Sequence, residues 1–125
     1  MSVTVIVTGG PSATVQWKAQ MTAQEALEAA WEQLNVVLST PPTFTYALQY
    51  YGSMGYLVIM INETYETYSS KATPNFYWEF YYNNNPASAG IDGQRLNDGD
   101  SIRFAFESYD PSTDVPSSWK QSKHG

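Results

Sequence analysis

Only one stretch of this chain carries a helical period, and it sits among segments that alternate as strands do. From Thr22 onward, Ala26, Leu27, Ala30, Trp31 and Leu34 fall on one helical face, while Gln24, Glu28 and Glu32 fall on the other. Thr22 and Glu25 have the spacing of a capping box, in which hydroxyl and carboxylate satisfy each other's backbone donors and so fix where the helix begins. Glu25, Glu28 and Glu32 are then a cap and a solvated face rather than an acidic site. A chain with a single amphipathic helix has one apolar stripe to bury, and strands must supply the surface that covers it.

The strands are readable on both sides of that helix. Val3, Val5 and Val7 alternate with Ser2, Thr4, Ile6 and Thr8. After the Gly9-Gly10-Pro11-Ser12 turn, Val15, Trp17 and Ala19 alternate with Thr14, Gln16 and Lys18, which predicts an antiparallel hairpin. Pro41-Pro42 ends whatever follows the helix. Phe44 to Tyr51 then alternates again, Gly52-Ser53-Met54-Gly55 turns the chain, and Tyr56 to Ile61 is apolar on both faces, as an interior strand is. Asn62 to Thr73 reads as a loop or hairpin extension. Phe76-Tyr77-Trp78-Glu79-Phe80-Tyr81-Tyr82 holds six aromatics in seven residues, with Trp78, Phe80 and Tyr82 on one face and Tyr77, Glu79 and Tyr81 on the other. Asn83-Asn84-Asn85-Pro86 breaks this run, and Ser101 to Tyr109 is the last strand, with Ile102, Phe104 and Phe106 inward.

Composition narrows the function classes. The net charge is -6, and the six Lys and Arg are scattered singly, so the clustered cations that nucleic acid or an anionic membrane surface requires are missing. With no cysteine, disulfide frameworks, thiol catalysis and Cys-based zinc sites are excluded. Met1 to Thr8 lacks the basic start and apolar run of a signal peptide, and Tyr56 to Ile61 is too short to span a bilayer. A leader removed before this numbering would make the domain extracellular or cell-surface; otherwise it is cytoplasmic. The expected organisation is one domain over residues 1–109 and a mobile, Pro- and Ser-rich tail over 110–125.

Hairpin, helix, then mostly antiparallel strands whose last member returns beside the first is the β-grasp arrangement. It gives the α+β class, with one amphipathic helix packed on a mixed, mostly antiparallel twisted sheet. At Tyr77-Trp78, Gly90-Ile91 and Asp98-Gly99-Asp100-Ser101-Ile102 the chain resembles the C-terminal domain of transcobalamin and the bacterial domains similar to it. The helix opening Thr22-Ala23-Gln24-Glu25-Ala26-Leu27 and the strand opening Gly55-Tyr56-Leu57-Val58 fit the same resemblance, which covers most of residues 1–109. In transcobalamin-like proteins this domain is a cap that closes over a corrinoid held by a separate helical domain. The resemblance implies a non-catalytic binding module, although these residues contain no helical partner domain and no single corrinoid contact carries over.

Site chemistry agrees with a non-enzyme. His124 is the only histidine and lies next to the C-terminal residue, so the usual imidazole base is missing from the body of the chain. Glu79, Asp92 and Asp98 are the carboxylates that a glycosidase-like pair would have to use. Asp92, Asn97, Asp98 and Asp100 are hard oxygen donors in one region but do not match the twelve-residue calcium loop, and turn chemistry accounts for them. No metal and no cofactor is expected. Trp17, Trp31, Trp78, Phe80, Tyr82, Phe104 and Phe106 are assigned to the core. Tyr50, Tyr51, Tyr77 and Tyr81 are left as a partly exposed aromatic patch that would bind a corrinoid-like small molecule or a glycan. The alternative is a structural or protein-interaction module that uses the same patch as a subunit interface.

Overall fold

A computed structural model describes residues 1–37, 44–67 and 75–109 and, for Asn75 and Tyr109, the backbone only. The elements are β1 (Ser2–Val7), β2 (Ser12–Gln16), α1 (Ala23–Glu32), β3 (Tyr46–Tyr50), β4 (Tyr56–Ile61), β5 (Thr64–Tyr65), β6 (Asn75–Tyr82), β7 (Asn85–Pro86) and β8 (Ser101–Tyr109). The expected tail over 110–125, Pro41-Pro42 and part of the expected Asn62–Thr73 loop lie outside the described residues.

The larger sheet has the order β2-β1-β8-β6-β7. β1 and β2 form the expected hairpin, and β8 returns parallel to β1, with Val5 opposite Ile102 and Val7 opposite Phe104. β6 pairs antiparallel with β8 along its whole length. It ends where Asn83 and Asn84 both take positive φ (48° and 69°), a backbone that Asn tolerates and a tight hairpin requires. The second sheet, β3-β4-β5, is antiparallel, and its register shifts between Ala47 and Leu48. Ala47 faces Met60 and Leu48 faces Val58, so Ile59 has no opposite residue; this bulge brings Ile61 and Val58 into the same core.

α1 covers the inner face of the larger sheet. Its capping box is formed as expected, and Ala23, Ala26, Leu27 and Ala30 are all buried. They pack on Val3, Val5, Val15, Ile102 and Phe104, with Phe80 stacked on Phe104 at 5.3 Å. The architecture is α+β and β-grasp-like, with the strands divided between two hydrogen-bonded sets, a division that alternation within single strands does not carry. The core assignment needs correction at Trp31, which is 42% exposed because it lies at the margin of the helical stripe that Ala23, Ala26, Leu27 and Ala30 bury. Trp17, Tyr82 and Phe106 are only partly buried against the core.

The crossing from β7 to β8 holds the parts together. Ala23 N–H donates to the Gln94 carbonyl at 2.8 Å and Gln24 N–H to the Ile91 carbonyl at 2.9 Å, so this loop satisfies donors that a helix N-terminus leaves open. The same loop reaches the second sheet, where Ile91 N–H donates to the Tyr56 carbonyl at 3.0 Å.

Candidate functional site

Tyr50 and Tyr51 lie at the β3–β4 hairpin. The register places Tyr50 directly opposite Tyr56, and their rings approach to 5.1 Å between centroids at 48°. Tyr50 is 62% exposed and Tyr56 38%, so together they present an open aromatic surface. Tyr51 is half-buried beside them, and its N–H donates to the Gly55 carbonyl at 2.8 Å to close the turn. Tyr56 was not among the sequence candidates, since it reads as the opening of an interior strand. Counting outward across the Gly52–Gly55 turn is the signal that would have found it.

The surface is fixed from beneath. Tyr56 N–H donates to Asp92 Oδ1 at 2.9 Å, and its carbonyl accepts from Ile91. Gly55, at φ 75°, leaves room for that carboxylate: a Cβ there would stand 2.2 Å from Asp92 Oδ1. At Gly90 a Cβ would stand 2.4 Å from the Met54 carbonyl oxygen and 2.7 Å from that of Tyr56. Two glycines and one aspartate therefore clamp the hairpin onto the loop that also seats the start of α1.

Tyr77 and Tyr81 occupy a different place. They share a face of β6 with Glu79, opposite Glu107 and Arg103 of β8. Tyr77 was expected in a partly exposed patch but is 8% exposed, and Glu79 beside it is 2% exposed. The Tyr77 hydroxyl donates to Glu107 Oε1 at 3.4 Å, and that of Tyr81 donates to Glu107 Oε2. Burial, then its hydrogen bond to Glu79, push the Tyr77 phenol up. Burial and the bond to Glu107 push Tyr81 up to about 12. The Arg103 guanidinium sits 4.0 Å over the Tyr81 ring and donates to Thr8 Oγ1 at 3.1 Å. The four tyrosines singled out from sequence thus form two groups: a solvent-facing one on the hairpin and a hydrogen-bonded one on the outer face of the larger sheet.

The acidic residues are tied into turns, Asp98 and Asp100 into the same one. Asp92 holds Tyr56, Asp98 accepts from Ser2 N–H at 2.8 Å, and Asp100 accepts from the Tyr82 hydroxyl at 2.5 Å and from Asn97 N–H at 2.7 Å. Burial works against the Asp100 carboxylate, but hydrogen bonds from Tyr82, Asn83 and Asn97 outweigh it and hold the group below its usual range. Among the described residues no cluster of three or more such groups could hold a metal ion. No described helix is long and apolar enough to cross a membrane.

Among solved structures, a Ruminococcus gnavus protein with a proposed metal-binding role matches 86% of this chain and 95% of its own at a TM-score of 0.53 and 16% identity. Haptocorrin, solved in complex with Cbi, matches 87% of this chain at a TM-score of 0.62 and 17% identity. The chain spans 25% of haptocorrin's length. At these identities the likeness is one of fold, and it agrees with the transcobalamin-like resemblance. No curated protein matches the chain. The profile of one domain family, the domain of unknown function DUF4430, matches residues 21–108, which run from the residue before the helix cap to nearly the end of β8. The chain belongs to the DUF4430 family.

Proposed function

We propose that this domain is a non-catalytic binding module that recognises a small molecule of the corrinoid class, or a glycan, through its aromatic hairpin surface. The observation that carries the reading is the exposed, mutually tilted Tyr50–Tyr56 pair on a hairpin clamped by Asp92 and Ile91. Rings fixed before a ligand arrives lose little freedom on binding, and a tyrosine adds a hydroxyl to a broad apolar face. Haptocorrin's complex with Cbi supports a corrinoid as the first ligand to test. Ligand contact is assigned to Tyr50 and Tyr51, with Tyr56 added. Tyr77 and Tyr81, whose hydroxyls are engaged with Glu107, brace the sheet. The non-catalytic part of the reading is supported by Asp92, Asp98 and Asp100 each being used in a turn of the fold.

The test is a titration of intrinsic fluorescence with Cbi and with a panel of oligosaccharides, on the protein and on Tyr50→Ala and Tyr56→Ala. A saturable response that weakens by about tenfold or more in either variant, as expected for loss of a central aromatic contact, supports the reading. No response to any probe removes it. A response that survives both substitutions moves the site elsewhere.

A further inference from the structure

Beyond the aromatic hairpin, the outer edge of the larger sheet and the helix flank beside it are complementary to themselves. β2 is the terminal strand of that sheet among the described residues. Val7 N–H donates to the Pro11 carbonyl and Trp17 N–H to that of Met1. Given the β1–β2 register, residues 11, 13, 15 and 17 therefore spend their backbone groups on β1, and the N–H and C=O groups of Ser12, Thr14 and Gln16 face the free edge. Sheets ordinarily blunt such an edge with a charge, a proline, a bulge or a very short strand. The opposite end of this sheet does so: β7 is two residues long and contains Pro86. β2 has none of these devices, since its register is unbroken and Ser12, Thr14 and Gln16 are exposed and uncharged.

A two-fold axis through Thr14, normal to the sheet, sets Thr14 opposite Thr14 of a second copy and Ser12 opposite its Gln16, each a pair that exchanges both backbone bonds. Ala13 then faces Val15 on the core side, and on neither face of the strands does charge meet like charge. The helix flank obeys the same axis. One open cavity beside β2, of about 480 Å³, is lined by Val15, Gln16, Ala29, Glu32, Gln33 and Val37, and another, of about 420 Å³, reaches Lys18, Met21 and Glu25. The helix therefore runs against β2, with Val37 toward the start of the strand and Glu25 beyond its end. The axis keeps both helices on one face and brings their C-terminal turns together, where Val36 and Val37 are 57% and 70% exposed and Gln33 carries no charge. Pairing thus covers apolar side chains that one copy leaves in water, and it adds the area that a strand edge alone lacks. Glu25 and Lys18 fall at the far ends of this interface. Glu32 and its image stand about three residues apart along the strands, on the order of 10 Å, where salt screens them. We infer that β2 and the α1 flank form the interface of a two-fold homodimer, in which two copies of the larger sheet join edge to edge.

The experiment follows self-association of the protein by light scattering and sedimentation from micromolar to millimolar concentration, with amide hydrogen exchange at the edge. The expected result is a monomer–dimer equilibrium in which rising concentration protects the Thr14 and Gln16 amides. Thr14→Lys and Thr14→Glu each place like charges on the axis and should weaken the dimer by about tenfold or more, while an equimolar mixture of the two restores it. That rescue requires residue 14 to stand opposite itself. Val37→Asp tests the helix flank and should weaken the dimer likewise. Circular dichroism checks that each variant is folded; if one is not, contacts between Thr14 of labelled and unlabelled copies in a mixed sample of the unaltered protein decide instead. A monomer at every concentration, a dimer that any of the folded variants leaves intact, or no rescue on mixing overturns the inference. So does a monomer with the Thr14 and Gln16 amides already protected, because the edge is then covered within one chain. Tyr56→Ala lies on the other sheet and should leave the dimer unchanged, so this interface can fail while the hairpin reading stands, and the reverse.

Discussion

Substituting Gly90 by Ala should cost far more than a buried methyl group ordinarily does. The added Cβ would stand 2.4 Å from the Met54 carbonyl oxygen, 2.7 Å from that of Tyr56 and 3.0 Å from Asp92 Oδ1. Two of these atoms are backbone, so no side-chain rotation relieves the clash; the loop must withdraw from the hairpin. Overpacking of this kind costs about 1–3 kcal/mol. Withdrawal also stretches the Ile91 N–H bond to the Tyr56 carbonyl (3.0 Å) and the Tyr56 N–H bond to Asp92 (2.9 Å). The second of these has a charged acceptor, and the two together add about 1–3 kcal/mol. Because one relaxation relieves part of both, the sum is taken as about 2–4 kcal/mol, a fall in Tm of roughly 8–16 °C for a domain of this size. The assay is urea or thermal unfolding followed by circular dichroism, with hydrogen exchange at the Tyr56 and Ile91 amides. Gly93→Ala is the control, since its nearest neighbour would be the Ala89 Cβ at 3.7 Å, and it should change stability by less than about 0.5 kcal/mol. If Gly90→Ala matches that control and the two amides stay protected, the clamp on the hairpin is not what these contacts make it.

Other expectations follow from the same geometry. Phe104→Ala should cost about 3–5 kcal/mol in chemical unfolding, because the ring is fully buried and stacks on Phe80. Thr22→Ala should cost about 1 kcal/mol and speed amide exchange in the first turn of α1, since it removes the hydroxyl that accepts from Glu25 N–H. Asp100 is held below its ordinary range in the fold, so its contribution is present above the unfolded carboxylate pKa of about 4 and is lost as pH falls through the lower folded value. Unfolding midpoints should drop in acid, and the drop should shrink in Asp100→Asn. Tyr77 and Tyr81 are raised in the fold, so their contribution is complete below the unfolded phenol value of about 10 and is lost as pH climbs toward the folded values. Tyrosinate absorbance should show part of the tyrosines resisting ionisation until the protein unfolds in alkali, and Tyr77→Phe with Tyr81→Phe should shrink that part.

Local patterns carried most of the fold. Alternation fixed β1, β2, β6 and β8, the Thr22–Glu25 spacing placed the helix start, and the return of β8 beside β1 followed from element order. The site was less legible, for two physical reasons. Periodicity says which residues share a face but not how deep that face lies, so Tyr77 was taken as accessible although it is buried beside Glu79. Register across a turn is not visible in either strand alone, so the partner of Tyr50 stayed hidden until β3 and β4 were paired. Trp31 failed for a third reason: it lies at the margin of the stripe that Ala23, Ala26, Leu27 and Ala30 bury, where the 3.6-residue repeat gives a face but not its width.

On the proposed reading the Tyr50–Tyr56 pair meets a ligand while the Tyr77–Tyr81 group does not. Ring-labelled tyrosine spectra, assigned by substitution and titrated with Cbi and the oligosaccharide panel, test it most directly. The expected result is saturable movement of the Tyr50 and Tyr56 ring signals by at least one probe, with Tyr77 and Tyr81 still. Movement confined to Tyr77 and Tyr81, or none at Tyr50 and Tyr56 with any probe, would contradict it.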